Sequence, residues 1–151
     1  MRWRSRKKIK PQINADEIQV TLMDPDELRL DINRVTERII NCVYRVSNTL
    51  GSGFLEKIYE NALAIELRQS GLQVAQQDPI KVFYSQILVG DFVADFLVEN
   101  CVIVETKAVK MLDEVHSAQC MNYLRATGLK VCLLVNFGRP RVDIKRIVLD
   151  F

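Results

Sequence analysis

The first long patterned stretch of the chain repeats its apolar residues every three or four positions. Its members are Val35, Ile39, Val43, Val46 and Leu50. This spacing places them on one face of a helix, which we expect to begin near Pro25 or Asn33 and to end at Leu50. Gly51 follows in the position of a C-terminal cap. A second helix is expected to begin at Ser52 or Gly53 and to end at Gly71, and two helices so closely joined should pack as a hairpin.

The pattern then changes to short runs rich in β-branched and aromatic residues, which are typical of strands. Three such runs occupy residues 80–86, 87–98 and 102–108. A helix is expected over residues 113–127, and two further strands over residues 130–137 and 142–149. The run at 130–137 is almost wholly apolar, which predicts a central strand covered on both faces, whereas the last run alternates as an edge strand does.

The predicted order of elements is therefore ααβββαββ, an α/β fold with a mixed sheet and a helical crossover to its central strand. A length of 151 residues suits a single domain, which we assign to residues 26–151. Residues 1–25 are assigned as a basic, flexible leader because the segment "MRWRSRKKIK" carries six basic residues and no acid. The alternative is that these basic residues supply contacts to phosphates.

Composition narrows the class of protein. No apolar run approaches the roughly 18 residues that a membrane span requires, and no secretory signal is recognisable, so we expect a cytoplasmic protein without a membrane partner. The four cysteines form no C-x-x-C pair, which favours reduced thiols over a zinc site or a disulfide. Beyond residue 10 the chain holds 15 basic and 19 acidic residues, so the domain itself lacks the general basic excess of many nucleic-acid-binding proteins.

Three charged residues interrupt the apolar strands. Asp95 lies in the second strand, and Glu105 and Lys107 lie two residues apart in the third. If the two strands pair with residue numbers that sum to 200, Asp95 lies opposite Glu105. A three-residue connection centred on Asn100 gives this register, and Asn tolerates the left-handed conformation that such a connection uses. A two-residue connection would give a sum of 199 and turn Asp95 to the other face. We expect the even sum, with Asp95, Glu105 and Lys107 on one face.

Two neighbouring carboxylates repel each other, and a divalent cation removes that repulsion. Mg²⁺ prefers oxygen ligands and keeps several waters, so that one or two carboxylates suffice to hold it. Lys107 would then balance charge and orient a water or a phosphate oxygen. The alternative is an Asp95–Lys107 salt bridge on a solvent-facing sheet surface, since such pairs are common and weak.

Further polar residues are spaced to face the same region. His116, Gln119 and Tyr123 fall on one stripe of the third helix. Glu56 and Tyr59 are neighbours on the second helix. Each also has a simpler interpretation: Glu56 as an acid at a helix N-terminus, Tyr123 as a core residue with its hydroxyl at the surface, and His116 as a surface residue.

These motifs resemble those of a known superfamily. Asp95 followed by Glu105-Thr106-Lys107 resembles the D…(D/E)-x-K signature of the PD-(D/E)XK nucleases, and Gln119 with Tyr123 resembles the Q-x-x-x-Y element of its RecB-like branches. Residues 53–59, "GFLEKIY", resemble the motif that names the GxxExxY protein family, as do "ALAIEL" (62–67) and "LLVNFG" (133–138).

The resemblance implies a restriction-endonuclease-like fold and a nuclease that acts on nucleic acid, foremost DNA, with Mg²⁺ or Mn²⁺ and no small-molecule cofactor. It implies that Asp95, Glu105 and Glu56 hold the metal. Lys107 would assist the attacking water, while Gln119 and Tyr123 would support the site or contact nucleic acid. A homodimer is expected by analogy alone. Two alternatives stay open: a non-catalytic module that binds nucleic acid or protein, and a structural or regulatory partner.

Overall fold

A computed structural model describes residues 23–151 of the chain. Its helices are α1 (Pro25–Leu50), α2 (Glu56–Gln69) and α3 (Glu114–Thr127). Its strands are β1 (Val74–Tyr84), β2 (Ile87–Val98), β3 (Val102–Lys107), β4 (Val131–Asn136) and β5 (Asp143–Val148). The predicted order ααβββαββ is confirmed. The basic leader assigned to residues 1–25 lies almost wholly outside the described residues.

Local signals explain where α1 begins and ends. The Asp24 side chain caps its N-terminus by accepting hydrogen bonds from the amides of Asp26 and Glu27 at 2.8 and 3.0 Å. Gly51 ends the helix with a φ of 68°, and its amide donates to the carbonyl of Ser47. The predicted end at Leu50 is confirmed, and of the two predicted starts the one near Pro25 is correct.

The second helix begins at Glu56, so the predicted start at Ser52 or Gly53 is wrong. The reason is the tyrosine one turn into the helix. The Tyr59 hydroxyl accepts from the Phe54 amide at 3.2 Å and donates to the Gly51 carbonyl at 2.6 Å. These bonds hold the connection open, and Gly53 within it has a φ of 111° that a helix does not use. The glycine and tyrosine of the "GFLEKIY" motif therefore shape the loop that delivers Glu56.

The five strands form one mixed sheet in the order β1-β2-β3-β4-β5. Only β3 and β4 pair in parallel, with α3 as the crossover between them, and the other pairs are antiparallel. All six residues of β4 are buried, and β5 forms an edge. Both strand assignments are confirmed, as is the restriction-endonuclease-like class of a mixed sheet flanked by helices.

Two apolar cores lie on opposite faces of this sheet. Helices α1 and α2 cover one face, where Val102 and Val104 of β3 are buried. Helix α3 covers the other, where Ile103 of β3 packs with Tyr123 and Leu124. Alternate residues of β3 enter the two cores, so Glu105 lies on the same face as Ile103, the face covered by α3.

The β1–β2 hairpin is longer than the pattern predicted, because β1 begins at Val74 instead of residue 80. The segment "QVAQQDP" contains too many polar residues and a proline to be recognised as a strand, but pairing with β2 imposes the extended conformation. At its far end the ribbon extends beyond the rest of the sheet. Residues Ile87–Val93 are all exposed there, and their described strand partners belong to β1 alone.

The chain segment after β3 is bound to the segment after β4. The side-chain amide of Asn136 donates to the Val109 carbonyl at 2.9 Å and accepts from the Val109 amide at 3.0 Å. The Phe137 amide donates to the Lys107 carbonyl at 2.8 Å. These bonds fix the backbone that carries Lys107, and they explain the polar residue in the otherwise apolar "LLVNFG" segment.

Two expectations from composition are also tested. The four cysteines are free thiols, with Cys42, Cys120 and Cys132 buried. Among residues 23–151, none of the helices combines the length and the apolar character needed to cross a membrane.

Gly138 provides a test of the contact between the two segments. A Cβ added there would collide with the backbone nitrogen and oxygen of Val109 and lie 2.7 Å from the carbonyl carbon of Ala108. We expect Gly138→Ala to lower the free energy of unfolding by about 1–3 kcal/mol, because backbone atoms must shift. The measurement is urea denaturation. Gly90→Ala is the matched control, since a Cβ at Gly90 meets nothing within 4 Å; equal stability of the two variants would contradict the prediction.

Candidate active site

Strands β2 and β3 pair in the register that places Asp95 opposite Glu105. The paired residues Phe96 and Val104, and likewise Val98 and Val102, have numbers that sum to 200. The connection between the strands contains Glu99 and Asn100, whose φ values are 50° and 54°. The predicted even sum and the left-handed conformation at Asn100 are both confirmed.

Regular pairing stops before it reaches Asp95, and side chains replace the backbone bonds. The Asp95 amide donates to Oε1 of Glu105 at 2.9 Å. In return, the Thr106 amide donates to Oδ2 of Asp95 at 2.8 Å, and the Thr106 hydroxyl donates to the same oxygen at 2.7 Å. Each carboxylate thus binds the backbone of the opposite strand, so that the two strands are joined here by their acids.

The β1–β2 ribbon exchanges its two faces at the same position. The core below α1 and α2 receives Val74, Phe96 and Val98 from the ribbon. The core below α3 receives Ile80, Val82 and Ala94. The exchange falls between Phe96 and Ala94, where Gln77 and Asp95 lie across from each other outside the regular ladder. Gln77 has a φ of 55°, which reverses the normal alternation.

This exchange corrects one expectation. Asp95, Glu105 and Lys107 do not share a face by simple alternation, because the Asp95 carboxylate bonds to Thr106, whose side chain alternates to the face opposite that of Glu105. The three charged groups nevertheless lie close enough to influence one another, since the pKa of Glu105 responds to the charges of both Asp95 and Lys107. The site therefore lies at the end of the sheet, within reach of both cores.

Glu105 is the most perturbed acid of the site. Only 3% of its surface is exposed. Burial raises the pKa of its carboxyl to about 8, and the charge of Asp95 adds to this effect, while the hydrogen bond from Asp95 and the charge of Lys107 oppose it. Without a cation, Glu105 is thus largely protonated at neutral pH.

Glu56 lies at the start of α2 and completes a group of four charges. Partial desolvation raises the pKa of its carboxyl; the charge of Lys107 lowers it, and the charge of Asp95 raises it. Among residues 23–151, however, no three His, Cys, Asp or Glu side chains are arranged as a ready metal-binding group. The structure therefore brings Asp95 and Glu105 into contact and leaves Glu56 as a charged neighbour.

Lys107 is half-buried beside these acids. The alternative of an Asp95–Lys107 salt bridge is not found, since the ion pairs of the described residues involve other side chains. Its charge is therefore not committed to one acid, and it acts on Glu56 and Glu105 together.

Of the three polar residues predicted to form a stripe on α3, Tyr123 lies nearest to the acids in its electrostatic effect. Tyr123 is 2% exposed and its hydroxyl lies 3.5 Å from the Val93 carbonyl. Burial raises its pKa, and the charges of Glu105 and Asp95 raise it further. His116 does not face the carboxylates as expected, because its Nδ1 accepts from the Asp113 amide at 3.1 Å in a capping box. Gln119 is half-buried, and within residues 23–151 no hydrogen bond joins its side chain to the acids.

The sequence did not reveal two polar residues next to Asp95. The Gln77 amide donates to both oxygens of Glu60 at 3.0 Å and to Oδ1 of Asp95 at 3.3 Å. Glu60 is 3% exposed despite its charge. The spacing of four residues between Glu56 and Glu60 places both on one face of α2, and this spacing is the sequence signal that indicates Glu60. The left-handed conformation of Gln77 carries no comparable signal, because glutamine is not a residue that favours it.

The donor atoms suit a hard divalent cation. Oε1 of Glu105 and Oδ2 of Asp95 are held by backbone donors. Within residues 23–151, Oε2 of Glu105 accepts no hydrogen bond, and no side-chain oxygen there is both buried and unpartnered. Oε2 is therefore not sealed inside the core, and together with Oδ1 of Asp95 it is an oxygen ligand of the kind that Mg²⁺ and Mn²⁺ prefer.

The model of one protein family matches this chain. The family is described as the PD-(D/E)XK nuclease superfamily, and the match covers residues 33–147. That range contains each candidate site residue named above. Comparison with the curated proteins and with the solved structures finds no match for this chain. The superfamily predicted from the motifs is confirmed, while the narrower GxxExxY resemblance stays a prediction.

Glu105 makes stability depend on pH. Its folded pKa of about 8 exceeds the ordinary value of 4.5, so unfolding releases a proton between these values, and the free energy of unfolding falls as pH rises through this window. We expect Glu105→Gln, in chelator, to stabilise the protein more at pH 8.5 than at pH 5.5, by a difference of about 3 kcal/mol. The measurement is urea denaturation at both pH values. The exposed Glu37→Gln serves as control, and the same gain at both pH values would refute the assignment.

Proposed function

Because the chain belongs to the PD-(D/E)XK nuclease superfamily, we propose that it hydrolyses phosphodiester bonds of DNA with Mg²⁺ or Mn²⁺ at the site of Asp95 and Glu105. The observation that carries the proposal is the pair of carboxylates, each held through one oxygen by the opposite strand, while the other oxygen has no backbone donor among the described residues. Such an arrangement places a second acid beside Asp95 where burial disfavours its charged form, which a structural sheet has no reason to do.

The acids would hold the cation through Oδ1 of Asp95 and Oε2 of Glu105, with Glu56 adding negative charge to the site. A bound cation supplies Lewis acidity towards a phosphoryl oxygen and lowers the pKa of a coordinated water. The protein contributes rigidity, since the oxygens bound to the Asp95 and Thr106 amides cannot rotate away without breaking hydrogen bonds.

Lys107 has the second role in the proposal. Its backbone is fixed by the Phe137 amide, and its ammonium group is not tied to a single acid. It would stabilise the negative charge that grows on the phosphate during attack and orient the attacking water. A positive charge next to the acids also attracts the substrate, which offsets part of the repulsion between carboxylates and phosphate.

Tyr123 and Gln119 would act on the substrate side of the site. The raised pKa of Tyr123 keeps its hydroxyl neutral, so that it serves as a hydrogen-bond donor and not as a base. Gln119, one turn earlier on α3, is half-buried and would contact the nucleic acid. A homodimer, which would allow two strands to be cut together, stays a prediction.

One observation favours a second candidate function. Beyond residue 10, acidic residues outnumber basic ones by 19 to 15, which weakens the attraction of a polyanion. A module that keeps the nuclease fold and binds nucleic acid or a protein without cleaving would not be hindered in the same way. The two candidates differ in whether bond cleavage depends on the acids and on Lys107.

We expect the protein to cleave labelled DNA in the presence of Mg²⁺ or Mn²⁺, and we expect cleavage to be lost when a chelator removes the metal. Lys107→Ala should lower the cleavage rate about 100- to 1000-fold, because it removes a charge that stabilises the transition state. Glu105→Ala should abolish cleavage, because it removes one of the two metal-binding acids. The measurement is single-turnover cleavage of single- and double-stranded DNA, with RNA as a parallel substrate.

Lys110→Ala is the matched control, since Lys110 lies three residues further on and is exposed. It should cleave at the wild-type rate. Cleavage that survives both Lys107→Ala and Glu105→Ala would rule out this site as its source. Salt-dependent binding without cleavage in any metal would favour the non-catalytic module instead.

A further inference from the structure

Glu60 is a buried carboxylate that meets three donors. Lys57 Nζ lies 2.9 Å from Oε2, Gln76 Nε2 lies 2.6 Å from the same oxygen, and Gln77 Nε2 lies 3.0 Å from each oxygen. Burial by itself raises the pKa of Glu60, but the hydrogen bonds from Gln76, Lys57 and Gln77 outweigh it, and the net shift is downward. The ion pair with Lys57 keeps Glu60 a fixed negative charge one helical turn from Glu56.

This charge determines how the Gln77 amide is oriented. An ionised carboxylate accepts hydrogen bonds and donates none, so Gln77 must turn its NH₂ group, and not its carbonyl oxygen, towards Glu60. The same NH₂ group lies 3.3 Å from Oδ1 of Asp95. With the amide reversed, two oxygens would face each other at that point. The buried Glu60 thus ensures that Asp95 faces a donor.

The backbone of Gln77 is adapted to the same purpose. Its φ of 55° occurs within strand β1 and not in a turn. Glutamine, unlike glycine, does not favour a positive φ, so this conformation is strained. The result is a gap in the β1–β2 ladder directly across from Asp95. The gap frees Asp95 from regular pairing and brings the Gln77 side chain alongside it.

Asp95 has two oxygens with different partners. Oδ2 is bound by the amide and hydroxyl of Thr106, whereas Oδ1 is contacted by Gln77. We propose that Gln77, oriented by Glu60, is a positioning residue that fixes the rotation of the Asp95 carboxylate, so that Oδ1 is the oxygen presented to the cation. This inference rests on the proposed function, because it assigns the support of that same metal site.

The neighbouring glutamine offers a control within the same network. Gln76 donates to Glu60 at 2.6 Å and to Asn61 at 3.1 Å, and neither bond involves Asp95. Gln76→Ala removes one donor from Glu60 and leaves the Gln77–Asp95 contact in place. Gln77→Gly removes the contact with Asp95. Because glycine adopts a positive φ without strain, the substitution does not disturb the backbone at this position.

The test is the affinity of the full-length protein for Mn²⁺, measured by calorimetry and by electron paramagnetic resonance, with thermal melting as a check of folding. We expect Gln77→Gly to weaken Mn²⁺ binding about 10- to 100-fold, as loss of a residue that supports a ligand does, and Gln76→Ala to change it less than about threefold. The side-chain amide signal of Gln77 should also shift on addition of Mg²⁺, more than that of Gln76.

The outcomes separate this inference from the proposed function. If wild type binds Mn²⁺ through Glu105, as shown by loss of binding in Glu105→Ala, and Gln77→Gly binds equally well, the positioning role is wrong and the metal site stands. Equal weakening by the Gln76 and Gln77 variants likewise overturns it, since support of Glu60 would then be the whole effect. If wild type binds no Mn²⁺, both the metal site and its positioning residue are refuted.

Discussion

The exchange of hydrogen bonds between Asp95 and Glu105 is the constraint on which the rest of the structure depends. Each acid replaces a backbone partner of the opposite strand. The two acids are thereby kept on neighbouring strands, in a place where burial raises the pKa of Glu105 to about 8. Burial of a carboxyl group is unfavourable in itself, so the surrounding residues must hold the two acids in place, and the proposed cation would offset the cost.

Two side chains provide that support, and each binds backbone groups. Tyr59 holds the loop that leads to Glu56 through bonds to the Phe54 amide and the Gly51 carbonyl. Asn136 binds the chain just after Lys107. Both side chains are buried. Their polar atoms are hydrogen-bonded, so burial leaves none of them without a partner. The site is thus assembled from the ends of secondary-structure elements whose positions are fixed by bonds outside it.

The sequence allowed much of this to be predicted, where the signals were local. The periodicity of α1, the apolar run of β4 and the tolerance of Asn100 for a left-handed turn led to the correct elements and register. What it did not reveal depends on contacts distant in the chain. Pairing with β2 makes a strand of polar residues that begins at Val74, and Gln77 takes a conformation for which its own chemistry gives no preference. The face exchange at Asp95 could not be predicted from the sequence. Face assignment by alternation takes residues i and i+2 to lie on the same side, and Ala94 and Phe96 do not.

Asp95 also stands at a border between two kinds of strand. From Phe96 onward β2 is paired on both edges and its residues enter the cores, whereas over Ile87–Val93 it is exposed and paired with β1 alone. Opening of the outer ribbon therefore need not disturb the inner half, and amide hydrogen exchange should be far faster on one side of Asp95 than on the other. Asp95 thus lies where an exposed two-stranded ribbon meets the part of the sheet that is paired on both edges.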